Sequence, residues 1–125
     1  MEVLNLSPQD LILNDQKEIS TDEENKLMQI LDRLKQSEPM QYVLGYSWFC
    51  DLKLKVNKYV LIPRPETEEL VEWIVKENEL DYPSILDIGT GSGCIAIALA
   101  KKIISARVSG MDISHDALEI AKKKC

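Results

Sequence analysis

The spacing of apolar residues divides the chain into a helical first part and a later part of mixed character. After a run of acids, apolar residues recur at helical spacing at Leu27, Ile30, Leu31 and Leu34. Ser20 or Thr21 is suited to cap this helix, and Pro39 prevents it from continuing. A shorter helix is predicted around Pro8, with Ser7 as its N-cap.

Beyond Tyr46 the pattern changes to alternation, which is the period of a half-buried strand. The inward positions of this strand are Leu52, Leu54 and Val56, with lysines between them. Asn57-Lys58 is a plausible turn into a second short strand at residues 59–62. The pattern therefore predicts a β-hairpin over residues 48–62.

The last part of the chain alternates strands with helices. A helix follows Pro63 and Pro65, and its apolar face is formed by Leu70, Val71, Ile74 and Val75. From Ser84 onward the pattern predicts strand, Gly-rich loop, helix, strand and helix, at residues 85–88, 89–93, 95–102, 107–112 and 114–124. This order is typical of a doubly wound α/β sheet, so the predicted fold class is α/β. A domain boundary is expected between Glu38 and Gly45.

Composition and charge indicate which classes of protein the chain can belong to. Apolar residues make up 45% of the chain and the formal net charge is −6, which favours a globular protein and disfavours binding to a phosphate backbone. No apolar run approaches the length of a membrane span. Cys50, Cys94 and Cys125 are odd in number and lack the spacing of a zinc or redox site. We therefore expect free thiols, no metal, no membrane association and a cytoplasmic location.

The strongest candidate site is the Gly-rich loop from Asp87 to Gly93, which joins a predicted strand to a predicted helix. Its sequence is Asp87-Ile88-Gly89-Thr90-Gly91-Ser92-Gly93. Glycine permits a tight turn and close approach of a ligand to the backbone, and the helix N-terminus supplies N–H donors. A loop of this kind can also serve helix packing alone, so its neighbours decide between the two interpretations.

Two carboxylates favour ligand binding. Asp112 ends the next predicted strand, where its carboxylate can accept the two hydroxyls of a ribose. Asp87 ends the first strand and can face a cationic group of the ligand. The loop has the spacing G-x-G-x-G rather than the G-x-G-x-x-G of dinucleotide sites, so no pyrophosphate is required. An adenosine with a cationic amino-acid tail fits these groups, which points to S-adenosylmethionine.

Three further features have alternative explanations. Arg64, between two prolines, is either a salt-bridge partner within its loop or a ligand contact. Cys94 follows the loop at a helix N-terminus, where a thiol pKa can fall, but packing of a small residue is favoured. The aromatic residues resemble a stacking surface for bases only weakly, because no basic groove surrounds them.

Several of these segments together resemble the HemK/PrmC family of glutamine-N5 methyltransferases. The resemblance extends from about Leu4 to Lys124 and rests on four segments, which are residues 38–45 (EPMQYVLG), 61–68 (LIPRPETE), 87–93 and 112–114. It implies a helical amino-terminal domain joined by a β-hairpin to a seven-stranded methyltransferase domain. It also implies methylation of the glutamine in the Gly-Gly-Gln motif of peptide-chain release factors, with S-adenosylmethionine as cofactor.

The resemblance assigns roles to individual residues. The loop from Gly89 to Gly93 would line the methionine part of the cofactor, Asp112 would hold the ribose, and Arg64 to Thr67 would lie close to the same pocket. Residues 1–45 would form the substrate-recognition domain, incomplete at its start, and residues 46–125 the hairpin and the first part of the methyltransferase domain.

The chain also departs from the family pattern. It contains no Asn-Pro-Pro-Tyr loop, which in the family holds the substrate glutamine, so no catalytic residue is assigned. We expect an inactive fragment. Two alternatives stay open, namely a methyltransferase of the same fold acting on a nucleobase or a small molecule, and a non-catalytic interaction module.

Overall fold

The computed structural model describes residues 17–123, together with Gln9 and Leu13. The short helix predicted around Pro8 otherwise lies outside the described residues. The chain divides into two compact units, Met1–Leu44 and Gly45–Cys125.

The main element of the first unit is helix α1, Thr21–Lys35, as the apolar spacing predicts. Ser20 caps it: the Ser20 hydroxyl accepts the Glu23 N–H at 3.3 Å, and the Glu23 carboxylate accepts the Ser20 N–H at 2.8 Å. Such a capping box satisfies two N–H groups that a helix start leaves unpaired. The half-buried apolar positions of α1 are Leu27, Ile30 and Leu34.

A second helix of the first unit, α2 (Met40–Leu44), lies in the segment expected to contain the domain boundary. Arg33 of α1 holds it. The Arg33 guanidinium donates to the Glu38 carboxylate at 2.8 Å and to the Tyr42 and Val43 carbonyls at 3.3 Å. Five residues are too short for helical periodicity to be recognised, so the sequence pattern gave no sign of α2.

The second unit begins with a hairpin that differs from the predicted one. Strand β1, Tyr46–Phe49, pairs antiparallel with β2, Leu52–Lys55, through a two-residue turn at Cys50 and Asp51. Both turn residues have positive φ, 48° and 60°, as a type I′ turn requires. The alternation within β2 is confirmed, since Leu54 is buried and Lys53 and Lys55 are exposed.

The second predicted strand, at residues 59–62, is wrong: this segment is not a strand. The Asn57 carbonyl accepts the Val60 N–H at 3.1 Å, and the Asn57 side chain accepts the Tyr59 N–H at 3.0 Å. These local hydrogen bonds form a turn. They occupy the N–H groups of Tyr59 and Val60, which would have to pair with a neighbouring strand if this segment were part of a sheet. Because the hairpin turn is at Cys50 and Asp51, β2 pairs with the strand before it.

Helix α3, Pro65–Glu77, packs with the hairpin and with the next helix, α4 (Cys94–Lys102). The inner side chains of the hairpin, Phe49 and Leu54, are buried in this cluster. The other buried members are Val71, Ala98, Leu99 and Ile103. This core attaches the hairpin to the α/β part of the unit.

The strand and helix order predicted from Ser84 onward is confirmed. Strand β3, Ser84–Ile88, leads through the Gly-rich loop into α4, and β4, Arg107–Met111, leads into α5, His115–Lys122. Strands β3 and β4 pair in parallel, with Ile88 opposite Met111. Their carboxyl ends therefore lie at the same edge, which brings the Gly-rich loop beside Asp112. This part of the chain is therefore α/β, as predicted, with a parallel pair of strands at its centre.

Candidate functional site

The Gly-rich loop folds as a left-handed turn between β3 and α4. The φ angles are 75° at Gly89, 56° at Gly91 and 80° at Gly93, which are values that residues with a side chain rarely adopt. A Cβ at Gly89 or Gly91 would meet no atom within 4 Å, so the backbone there borders open space. At Gly93 a Cβ would lie 3.1 Å from Ile97 Cδ1 and 3.2 Å from Ala121 Cβ. The first two glycines thus leave room for a ligand, and the third allows close helix packing.

The loop uses most of its own N–H donors. The Met111 carbonyl accepts the Gly89 and Thr90 N–H groups at 2.8 and 2.9 Å, and the Thr90 carbonyl accepts the Gly93 N–H at 2.8 Å. The bonds fix the loop against β4. Because these N–H groups are already hydrogen-bonded within the protein, the loop has few donors left to bind a phosphate group.

Asp112 lies at the centre of the site. Its Oδ2 accepts the Gly91 N–H at 2.9 Å and its Oδ1 accepts the Ser114 N–H at 2.9 Å. These bonds, the one from Ser114 first, hold the pKa of the Asp112 carboxyl below its ordinary value. The carboxylate is therefore charged at neutral pH and fixed in orientation. Each oxygen keeps acceptor capacity for a further donor such as a hydroxyl.

Asp87 is connected to the same loop by Thr90. The Thr90 hydroxyl donates to Asp87 Oδ2 at 2.7 Å, and the Thr90 side chain is almost fully buried. Thr90 therefore links the end of β3 to the turn, and its hydroxyl is engaged in the structure rather than turned toward solvent. Asp87 itself is half-buried, so part of its side chain is accessible to solvent.

Ser92 and Cys94 point into the protein. The Ser92 side chain is buried, and its Oγ has no hydrogen-bond partner among the described residues. Burial raises the pKa of the Cys94 thiol. Cys94 packs against the hydrophobic core. The helix start does not activate this thiol, in agreement with the packing interpretation.

Arg64 and Thr67 lie at the start of α3. Arg64 is the N-cap residue, and its carbonyl accepts the Thr67 N–H at 3.0 Å. Over the part of the chain that the structure describes, neither residue makes a hydrogen bond or ion pair with the Gly-rich loop. The structure brings together Asp87, the loop and Asp112, and leaves these two residues as candidates only.

Two further residues lie at this site and were not predicted from the sequence. A Cβ at Gly110 would lie 2.8 Å from Thr90 Oγ1, so β4 needs glycine where the loop crosses it. An isolated glycine within a predicted strand is a recognised sign of close backbone approach and could have identified this position. The Ile113 side chain, next to Asp112, is fully exposed and offers an apolar surface beside the carboxylate.

Among residues 17–123 no cluster of His, Cys, Asp or Glu is arranged to hold a metal ion. No helix in the described part of the chain is long and apolar enough to cross a membrane. Cys50 and Cys94 are free thiols.

Comparisons with known proteins match both parts of the chain. Residues 1–45 match a family described as the PrmC N-terminal domain, and residues 85–125 match a family described as a methyltransferase domain. Several bacterial proteins are similar over most of the chain, each named "Release factor glutamine methyltransferase".

Three of these relatives illustrate the extent of the similarity. The Lactococcus lactis protein is 56% identical over 110 residues, covering 87% of this chain and 41% of the relative. The Bacteroides thetaiotaomicron protein is 47% identical over 122 residues, covering 98% and 44%. The Streptococcus pneumoniae protein is 48% identical over 120 residues, covering 95% and 43%. The chain spans about two fifths of the length of these relatives.

Proposed function

The chain belongs to the HemK/PrmC family of release factor glutamine methyltransferases, and we propose that it supplies the cofactor-binding part of such an enzyme. The proposed reaction transfers a methyl group from S-adenosylmethionine to the side-chain nitrogen of the glutamine in the Gly-Gly-Gln motif of peptide-chain release factors. The supporting observation is the Asp112 carboxylate, which the Gly91 and Ser114 N–H groups fix at the end of β4.

The residues present fit the proposed cofactor. Asp112 would accept the ribose hydroxyls, and the exposed Ile113 side chain would cover one face of the adenine. The open space over Gly89 and Gly91 admits a ligand against the backbone. Asp87 would attract the ammonium of the methionine part. The loop residues Gly89, Thr90, Gly91, Ser92 and Gly93 would line that part largely through their backbone, since the Thr90 and Ser92 side chains are buried.

Catalysis would depend on positioning the substrate amide against the methyl group and on polarising that amide. When bound, S-adenosylmethionine supplies a methyl group activated by a sulfonium charge. An amide nitrogen is a poor nucleophile, so the reaction requires the amide to be held in line with that methyl group and polarised. This chain's own residues would bind and orient the cofactor. The polarising residues are not among them, because the chain contains no Asn-Pro-Pro-Tyr loop.

The same proposal extends to the remaining assignments. Residues 1–45 would recognise the substrate and residues 46–125 would carry the hairpin and the first part of the catalytic domain. Arg64 and Thr67 would contact the cofactor. A cytoplasmic location agrees with the free thiols of Cys50 and Cys94.

Calorimetric titration with S-adenosylmethionine and S-adenosylhomocysteine tests the cofactor site. We expect saturable binding that Asp112→Ala abolishes and Asp81→Ala, at an exposed aspartate, leaves unchanged. Equal loss in both variants, or none in either, would contradict the role of Asp112.

The substrate is tested separately. A release factor is incubated with S-adenosylmethionine and either this chain or the full-length Lactococcus lactis protein. The mass of the peptide that contains the Gly-Gly-Gln motif is then measured by mass spectrometry. The proposal expects one added methyl group with the full-length protein and none with this chain. An unmodified glutamine with the full-length protein would contradict the substrate assignment.

A further inference from the structure

The solvent face of the hairpin combines aromatic rings with lysines. The register places Tyr46 opposite Lys55 and Trp48 opposite Lys53, so these four residues share one face. The other face is the buried one that carries Phe49 and Leu54. The Trp48 side chain is 57% exposed, which leaves a large apolar surface in solvent on this face. We call these four residues the hairpin face.

The charge around the hairpin face is opposite in sign to that of the chain. Residues 45–64 contain four of the 15 basic residues and one of the 21 acidic ones, although the formal net charge of the chain is −6. The basic residues are Lys53, Lys55, Lys58 and Arg64, and the acidic one is Asp51 at the turn. This segment is a local positive region on an otherwise acidic protein.

One lysine of the hairpin face, Lys53, and one beside it in the chain, Lys58, are held over aromatic rings. Lys53 Nζ lies 4.0 Å from the centroid of the Tyr46 ring, and Lys58 Nζ lies 5.2 Å from that of Tyr59. Such cation–π contacts orient the ammonium groups before any partner arrives. The turn is fixed as well, because the Glu68 carboxylate accepts the Cys50 N–H at 2.8 Å. The hairpin face is therefore preorganised, which reduces the entropy lost on binding.

We propose that the hairpin face binds a short acidic segment of a partner protein, with the lysines pairing with carboxylates and Trp48 packing against an apolar side chain between them. Two strands of four residues give a face roughly 13 Å long. An extended peptide of four or five residues covers that length.

The size of the face argues against a polyanion. A nucleic acid or an anionic membrane is uniformly charged over distances far greater than about 13 Å, so it would extend beyond the hairpin face. It would then meet the acidic remainder of the chain and be repelled. A protein partner has mixed charge and need present its carboxylates only where the lysines are. None of the four residues of the hairpin face is assigned to the cofactor, and the proposal does not depend on the reaction.

A peptide titration tests the proposal. In a Trp73→Phe background Trp48 is the single tryptophan, and its fluorescence reports binding of a ten-residue Glu/Asp peptide with one central Phe. We expect saturable quenching that weakens several-fold when salt is raised, because exposed ion pairs are screened. Lys53→Glu/Lys55→Glu should weaken binding at least tenfold, and Lys76→Glu/Lys101→Glu, which makes the same charge change on α3 and α4, less than twofold.

Other results would overturn the proposal. Equal weakening by the two double variants would show attraction by overall charge alone. A uridine decamer or anionic vesicles could instead bind more tightly than the peptide. If Lys53→Glu/Lys55→Glu abolished that binding, a polyanion would be the partner. Circular dichroism checks that each variant is folded, and Lys53→Gln/Lys55→Gln replaces the glutamate pair if that pair unfolds. Absence of quenching by the peptide in the folded Trp73→Phe protein would also refute it.

Discussion

The Asp112 carboxylate accepts the Gly91 N–H at 2.9 Å and thereby joins the end of β4 to the turn after β3. A second bond from Ser114 fixes the other oxygen. The loop conformation and the position of the carboxylate thus depend on each other. Substitutions at one should change the other, even before any ligand is added.

The first prediction concerns pH. Since the pKa of Asp112 is lowered on folding, the charged form stabilises the fold above the ordinary aspartate pKa of about 3.9, and this stabilisation is lost as pH falls through the lower folded value. Asp112→Asn should therefore unfold at a lower temperature than the wild type at neutral pH. The gap should narrow below about pH 4.

Thermal unfolding of both proteins at neutral and acidic pH measures this gap. Asp81→Asn, at an exposed position, serves as the charge-matched control. A gap that stays constant into strong acid would mean that the Asp112 charge does not stabilise the loop.

The second prediction separates the roles of the loop glycines. Gly89→Ala and Gly93→Ala both place a side chain at positive φ, which costs about 1–2 kcal/mol. Only the Gly93 variant also crowds Ile97 and Ala121, so it should be the less stable of the two in chemical denaturation. Gly89→Ala should instead weaken S-adenosylhomocysteine binding, because its Cβ enters the open space. Equal stability of the two variants would contradict the packing role of Gly93.

The third prediction concerns Gly110. A Cβ 2.8 Å from Thr90 Oγ1 should displace the Thr90 side chain from Asp87, and Gly110→Ala should lower stability by about 1–3 kcal/mol, as overpacking does. Shortening Thr90 to Ala should relieve this contact. A double-mutant cycle would then show that the two substitutions cost less together than the sum of their separate effects. Additive losses would argue against contact between the two positions.

The fourth prediction concerns thiol reactivity. Burial raises the pKa of Cys94, so little reactive thiolate forms, and iodoacetamide should modify Cys94 at least about tenfold more slowly in the native chain than in urea. Burial and, after it, the Glu68 carboxylate raise the pKa of Cys50. Glu68→Gln should therefore accelerate modification of Cys50 and leave Cys94 unchanged, as peptide mapping by mass spectrometry would show. A native rate for Cys94 equal to the unfolded one would refute its burial.

Local sequence signals correctly identified most of the helices and strands that are long or that begin or end at a clear capping or turn residue. The Ser20 cap and the apolar spacing behind it fix α1, and the glycines of residues 89–93 mark the loop between β3 and α4. The hairpin was misplaced because Cys50-Asp51 lacks the glycine usual in a type I′ turn. The Asn57-Lys58 pair gave a stronger local signal for a turn that proved to lie outside the ladder.

By itself the sequence determined the order of the α/β elements, the positions of Asp87 and Asp112 at strand ends, and the family. These features depend on residue spacing and on motifs within a few positions of each other. The tertiary structure decided which strands pair, which loop donors are already used, and that Gly110 must lack a side chain beneath Thr90. Contacts between distant residues depend on how the strands pack in space, and no local pattern contains that information.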